Sequence, residues 1–394
     1  MSIVKEVTRN IYSVGAIDWD RRLFDELIPL PDGTSYNAYI VQGSEKTALL
    51  DTVDPPMAEI LMSNLAELKL GTIDYVVIQH AEQDHSGTLP QILERYPEAK
   101  VIATAKCKGM VMDFLAVAEE KIITVADGER LSLGDKTLEF FYTPWVHWPE
   151  TMVTYVQEDQ LLFSCDFFGS HIASSDLFVT DQAKVYEAAK RYFAEIMMPF
   201  RTIIRKNLTK LHPLDIAMIA PSHGAIYDKP DFILDAYEDW VSDKVKNEVV
   251  LPYASMHGST KMMVNYLVRA LMKQDVSVRL FNLPQTDIGE LAMALVDAAT
   301  IVIGSPTVFV GPHPSAVYAA YLANALKPKA KFASVVGSYG WGTKMVEQLA
   351  GMLPNLQVEI LDPVVAKGLP KAADYQALDT LADTIAAKHR ELKL

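Results

Sequence analysis

Cysteine is almost absent: two residues in 394, Cys107 and Cys165, with no CxxC pair. This excludes a rubredoxin-type or iron–sulfur module inside the chain, because those need closely paired thiolates. So few thiols fit a reducing compartment, and the expected location is cytoplasmic. Long apolar runs are also lacking. No stretch reaches the roughly 20 residues of a membrane-spanning helix, and the opening MSIVKEVTRNIYSVG has no cationic head leading into an apolar segment. No membrane association is expected. Positive charge is scarce: 36 Lys and Arg stand against 50 Asp and Glu, a net charge of -14. Nucleic acid selects basic surfaces and is excluded as a partner, although a local basic patch for an acidic protein is not. There is no low-complexity segment and no short-period repeat.

What is present is a chain that is half apolar and too long for one ordinary core, so two domains are expected. The first part is rich in short strands: IYSVGAI, YNAYIVQG, TALLDTV, Tyr75–Ile78, VIATA, KIITVA, LEFFYT, TMVTYV, LLFSC and IAMIA. Turn residues separate them, in PDGTS, at Asp127-Gly128 and at Gly134-Asp135. Helices are expected near Pro56–Leu70, Leu89–Tyr96 and Met110–Ala118, and long amphipathic ones over Gln182–Lys210. Strands flanked by two helical layers predict an αββα sandwich. From Val249 the rhythm becomes regular alternation of five apolar strands and five helices, which predicts a doubly wound parallel sheet. The boundary is placed near residues 247–250, giving domains 1–248 and 249–394.

One stretch concentrates chemistry. HAEQDHSG follows the Tyr75–Ile78 strand and offers His80, Glu82, Asp84 and His85 within a few residues. Buried polar groups are costly unless bonded, and a cation bonds several at once. Three further candidates lie at or after strand ends: His147 in TPWVHWPETM, Asp166 in LLFSCDFFG and His223 in IAPSHG. Singly each has a plain alternative: a packed core histidine, a turn aspartate, a loop cap. Together the four histidines and three carboxylates suit two metals sharing one bridge. His171 and Tyr192 are candidates for lining the pocket, with helix packing the plainer account of Tyr192. His212 and His389 read as structural.

The second domain has its own constellation. Ser255, Met256, His257, Gly258, Ser259 and Thr260 join the first strand to a helix and make a phosphate cradle of small residues at a helix N-terminus. Ordinary helix capping accounts for such a loop equally well if it stands alone. Two more strand-end loops accompany it. One runs from Gly304 to Pro314 and contains Ser305, Pro306 and Thr307. The other is Gly337, Ser338, Tyr339, Gly340, Trp341 and Gly342. In a flavodoxin-like sheet FMN binds at these strand ends, and Tyr339 or Trp341 is placed to stack on its ring.

The order HxExDH, then His147, Asp166 and His223, followed by the three loops, resembles the flavodiiron proteins over nearly the whole chain. The resemblance implies a metallo-β-lactamase-like domain followed by a flavodoxin-like FMN domain. It implies one iron on His80, Glu82 and His147, a second on Asp84, His85 and His223, and Asp166 between them. It also implies an oxidoreductase that reduces dioxygen to water, or nitric oxide to nitrous oxide. Electrons would come from a rubredoxin-like donor or a reduced deazaflavin, and the chain would form a head-to-tail homodimer or a dimer of dimers. Glu82 stands where zinc hydrolases of this fold carry a histidine, and a harder anionic donor favours iron. Met256-His257 and the VFVGPHP stretch depart from the usual flavin loops and bear on the flavin's environment. A dinuclear metallohydrolase with a regulatory flavin domain is the alternative from another class, and an electron carrier with a degenerate metal site is a third.

Overall fold

The computed structural model describes residues 4–394. Contacts divide the chain into two units. The first runs to Tyr192 and resumes over Phe200–Val241; the second comprises Phe193–Pro199 and Ser242–Leu394.

The first unit is built on two sheets packed face to face. One has seven strands in the spatial order Lys5–Thr8, Ile11–Ser13, Tyr39–Gln42, Thr47–Leu50, Tyr75–Val77, Lys100–Ala103 and Ile122–Thr124. Pairing is antiparallel up to Thr47–Leu50 and parallel beyond it. The other has five: Arg130–Ser132, Thr137–Tyr142, Met152–Val156, Leu161–Cys165 and Met218–Pro221. Side chains alternate faces along a strand, so one strand feeds two cores. Tyr39, Val41, Leu50, Val77 and Ile102 share a core with Phe140, Met152, Leu161 and Phe163 of the second sheet. Their neighbours Ile40, Leu49, Val76 and Val101 turn the other way and join Leu61, Leu65, Ile92, Cys107 and Val111. Those five lie on the helices Ala58–Glu67, Leu89–Arg95 and Ala105–Leu115. On the outer side of the second sheet, Tyr237 of the helix Asp231–Val241 packs against Phe167 and Phe168. The layering is helix, sheet, sheet, helix, as the strand and helix pattern implies.

Local boundaries differ from the expectations in instructive ways. IYSVGAI is not one strand but two, Ile11–Ser13 and Ala16–Asp18, in different sheets. The expected helices over Gln182–Lys210 are Gln182–Tyr192 and Arg201–Leu211, joined by a wider π-helical turn over Phe193–Met197 and a tight turn over Met198–Phe200 that contains Pro199. Proline lacks the N–H that a continuing helix needs.

Phe163 is fully buried between the two sheets. Phe163→Ala is expected to cost about 3–5 kcal/mol. In denaturant unfolding the midpoint should fall with little change of slope. A loss below about 1 kcal/mol would mean the core closes over the gap.

The second unit holds a parallel sheet whose spatial order is Ser277–Asn282, Lys246–Tyr253, Ala298–Val308 and Phe332–Tyr339. The short strands Glu359–Ile360 and Val364–Lys367 both pair with the last of these. In chain order this is 2-1-3-4-5, the flavodoxin arrangement. Val249, Leu251, Val302 and Val336 bury one face against Met263, Leu267 and Leu271 of the helix Ser259–Met272. Leu378, Leu381 and Ile385 of the helix Ala372–Glu391 complete that core.

His389 is structural, as expected. Its Nδ1 lies 2.8 Å from Asn247 Oδ1 and its Nε2 2.7 Å from Thr300 Oγ1, and its ring lies over Phe332. The neutral ring donates to the amide oxygen and accepts from the hydroxyl. Burial lowers its pKa from 6.5 to about 4. An unfolded chain takes up this proton at higher pH than the folded one. The contribution is therefore complete above about pH 6.5 and is lost as pH falls towards 4. Thermal unfolding should show His389→Gln losing less stability than the wild type across that window; an equal loss would contradict the assignment.

Candidate metal centre and flavin site

The ligand loop begins where the strand Tyr75–Val77 ends. One helical turn, Gln83–Ser86, follows Glu82, whose carbonyl accepts from the N–H groups of His85 and Ser86. Ser86 Oγ donates to the carbonyls of Ala81 and Glu82. Thr52 clamps the loop from outside, its N–H and Oγ1 both donating to the His85 carbonyl at 2.6 and 2.8 Å. His147 lies in the loop between Thr137–Tyr142 and Met152–Val156; Asp166 and His223 follow Leu161–Cys165 and Met218–Pro221. Cys165 and Phe168, on either side of Asp166, have left-handed φ of 52° and 66°. Such conformations cost about 1–3 kcal/mol each, and they aim Asp166 where it stands. Gly224, next to His223, has a φ of 86°, and a Cβ there would lie 2.1 Å from Ser170 Oγ. Only glycine fits.

All seven side chains converge. Glu82 Oε2 is 3.0 Å from both His80 Nε2 and His147 Nε2, and Asp166 Oδ2 is 3.5 Å from the same two nitrogens. Asp166 Oδ1 faces the other group, 3.0 Å from His85 Nε2 and 3.5 Å from His223 Nε2. Asp84 completes that group at 3.4 Å from His85 Nε2 and 3.3 Å from His223 Nε2. One carboxylate thus divides six other donors into two triads. Metal–ligand bonds of about 2.1 Å place neighbouring ligands about 3.0–3.4 Å apart, close to the spacing here. Hydrogen bonding does not account for the cluster. Both oxygens of Asp84 and Asp166, and both ring nitrogens of His85, are buried without a hydrogen-bond partner. Bare groups of this kind cost about 1–3 kcal/mol each, so the donor set fits a pair of cations.

The electrostatics agree. Burial lowers the pKa of His80, yet its bonds to Glu150 and Glu82 hold it well above the usual value. Burial likewise works against His85, but the charges of Asp84 and Asp166 lift it to about 10. Burial pushes Glu82 and Asp166 up, and the surrounding histidines pull both below the ordinary carboxylate range. The three carboxylates create a field that attracts positive charge, which a metal cation answers more strongly than protons do.

His171 belongs to neither triad. Its Nδ1 is 2.9 Å from Thr34 Oγ1, and its ring lies 4.6 Å from His223, 4.8 Å from Tyr192 and 5.1 Å from Phe24. It is a pocket wall. Tyr192 is buried beside it; burial and the charge of Asp166 raise its phenol well above the usual value, so it keeps its proton. His212 is exposed and paired with Glu238 at 2.8 Å. Sequence reasoning missed the groups holding the outer ring nitrogens. Glu150 Oε1 is 2.8 Å from His80 Nδ1, and the Ser35 carbonyl is 2.6 Å from His223 Nδ1.

In the second unit a cavity of about 280 Å³ is lined by Ser255, Met256, His257, Ser259, Thr260, Pro306, Thr307, Ser338, Tyr339, Gly340, Trp341 and Gly368. The helix Ser259–Met272 starts at this cavity, with Gly258 at its N-cap in a left-handed conformation. Two expected contacts do other work. Ser305 Oγ accepts from His313 N–H and donates to the Pro306 carbonyl. Gly337 permits packing inside the sheet, since a Cβ would meet the Ser305 carbonyl at 2.2 Å. Gly368, which the motifs did not suggest, joins the rim because Val364–Lys367 pairs with Phe332–Tyr339.

Two family models match, the ODP family beta lactamase over residues 34–224 and flavodoxin over residues 251–378. A nitric oxide reductase of Moorella thermoacetica is 35% identical over 98% of this chain and 99% of its own length. The solved rubredoxin oxygen:oxidoreductase of Desulfovibrio gigas superposes with a TM-score of 0.94 at 31% identity, covering 99% of both chains. The flavodiiron protein of Giardia intestinalis superposes at 0.89 with 26% identity over 98% of both. The chain belongs to the flavodiiron proteins. A flavodiiron chain needs a metal pocket in its β-lactamase-like part and a flavin pocket in its flavodoxin part, and each unit here carries one. Among the described residues no helix is long and apolar enough to cross a membrane.

Proposed function

We propose that this protein reduces dioxygen to water, nitric oxide to nitrous oxide, or both, at a non-haem diiron site supplied with electrons through FMN. The observation that carries the reading is the way the two oxygens of Asp166 face separate triads. His80, Glu82 and His147 would hold one iron, Asp84, His85 and His223 the other, and Asp166 would bridge them. When bound, two ferrous ions and reduced FMN supply four electrons, the number that takes dioxygen to water. The names of the relatives, a nitric oxide reductase and a rubredoxin oxygen:oxidoreductase, support the choice of substrates.

The chain's own residues bind and shield. Phe24 covers His171 and His223, and Trp148 stands edge-on to His80, so aromatic rings form part of the pocket wall and favour a neutral diatomic gas. Tyr192 holds a proton within that wall. In the second domain, which we place at 249–394 after a metal domain at 1–248, the loop Ser255–Thr260 would receive the FMN phosphate. Tyr339 and Trp341 would flank the ring. The external donor would be a rubredoxin-like protein or a reduced deazaflavin, in the cytoplasm.

Electrons cross protein only over short distances, so a flavin must approach the metal pocket. A head-to-tail homodimer, alone or doubled, brings the flavin face of one copy to the metal face of its mate. Complementarity supports it. Four loops at the flavin cavity, residues 254–261, 305–315, 338–344 and 366–371, contain Lys261, Lys344, Lys367 and Lys371 but no Asp or Glu. Phe309, Trp341 and Leu369 stand exposed among them. Residues 18–32, which cross the metal pocket at Phe24, carry five carboxylates against two arginines, with Trp19, Leu23 and Leu27 exposed.

The test is anaerobic reduction followed by rapid mixing with each gas. FMN should reoxidise and water or nitrous oxide should form. No consumption of either gas by reduced, iron-replete protein would sink the reading, and ester hydrolysis by zinc-loaded protein without reductant would favour the hydrolase.

A further inference from the structure

The two triads are matched in kind. Each has two histidines and one carboxylate, and they share Asp166. What stands behind them is not matched. His80 Nδ1 lies 2.8 Å from Glu150 Oε1, with both side chains fully buried. The same oxygen accepts the Ala81 N–H at 3.1 Å, and Thr104 Oγ1 holds the Glu150 carbonyl at 3.1 Å. Trp148 stands edge-on to the His80 ring at 4.9 Å, which closes off the ring from that side. In the other triad the outer nitrogen of His223 meets a neutral acceptor, the Ser35 carbonyl. The outer nitrogen of His85 is buried with no partner. Glu150 Oε2 is also buried without a hydrogen-bond partner, so no donor on that side dissipates its charge.

We propose that Glu150 is a positioning residue: it locks His80 with Nε2 facing the metal pocket, and its buried charge behind one triad makes the iron on His80, Glu82 and His147 the easier of the two to oxidise. This rests on the diiron reading above. A carboxylate behind a metal-bound imidazole raises the basicity of the ring and fixes its orientation. A buried charge acts through a low dielectric and favours the more positive ferric state nearby. The ligand sets themselves are matched, and Asp51, the buried carboxylate on the His85 side, accepts from Gln79 rather than from a ligand, so the charge bonded directly to a ligand sets the difference between the halves. The pair therefore gives up its first two electrons at separated potentials, and the singly oxidised pair persists between them.

The experiment uses the full chain with FMN and iron, as wild type, Glu150→Gln and Glu150→Ala. Each is titrated with oxidant while the electron paramagnetic resonance of the singly oxidised pair is followed, and each is challenged with a chelator. Glutamine keeps an oxygen for His80 and Ala81 but removes the charge. Glu150→Gln should fold and bind iron as the wild type does, with a narrower separation of the two potentials and a weaker maximal signal. Glu150→Ala should release iron about 10–100 times more readily. An unchanged separation and signal in Glu150→Gln overturns the proposal, even if Glu150→Ala fails to fold. A wild type that takes up no iron pair overturns both readings; a wild type that does, beside an unaltered Glu150→Gln, overturns this one alone.

Discussion

Asp166→Ala should remove paired-metal chemistry while leaving the flavin in place. Its two oxygens face His80 and His147 on one side and His85 and His223 on the other. No other side chain among the described residues spans both triads at these distances. Loss of a group behind a ligand already costs about 10–100-fold in metal affinity or activity, and a shared ligand should cost more. Turnover with either gas is therefore expected to fall by at least about a hundredfold. Iron analysis should show the pair reduced to a single ion or none, with flavin content unchanged because the FMN cavity lies in the other unit. Full turnover in this variant would count heavily against the bridging role.

Leu27→Lys should have the second large effect, through association alone. Leu27 is 59% exposed on the hairpin Leu23–Phe24/Ile28–Pro29, and it belongs to neither triad. In the proposed dimer it meets a face rimmed by four lysines, so the substitution removes an apolar contact and adds a like charge. Burying a leucine is worth about 1.5–3 kcal/mol, which corresponds to a roughly ten- to hundredfold weaker dimer. Sedimentation should show the shift to monomer, and turnover should fall with it at low protein concentration. Iron and FMN content should stay at wild-type levels. A monomeric variant with undiminished multiple turnover would remove the case for electron delivery between copies.

Much of the candidate metal site was legible because its donors are crowded. His80, Glu82, Asp84 and His85 fall in one short loop after an apolar strand, where four such donors are costly to bury unless a cation binds them. His147, Asp166 and His223 could be read only as polar residues at strand ends. Their division into triads depends on how two sheets bring separate strand ends together, which no spacing in the chain encodes. Glu150 could not be found in advance. It is one carboxylate at the end of the TPWVHWPETM stretch, and the histidine that gives it meaning is 70 residues away. The flavin loops show the converse. Gly337 and Ser305 belong to flavin-like motifs, yet the close approach that requires the glycine is to a neighbouring strand. Gly368 lies at the cavity because of a strand pairing, not because of a motif. The two-fold alternation of Tyr39, Ile40 and Val41, or of Val76 and Val77, was visible as apolar runs. Which residue served which core was not, since both faces are buried.

The most direct measurement is anomalous X-ray scattering at the iron edge, on crystals of FMN-containing protein grown with ample iron. Two iron peaks should flank Asp166, one among His80, Glu82 and His147 and the other among Asp84, His85 and His223. A single peak at full occupancy, or a pair of peaks anywhere else, would contradict the paired-iron site.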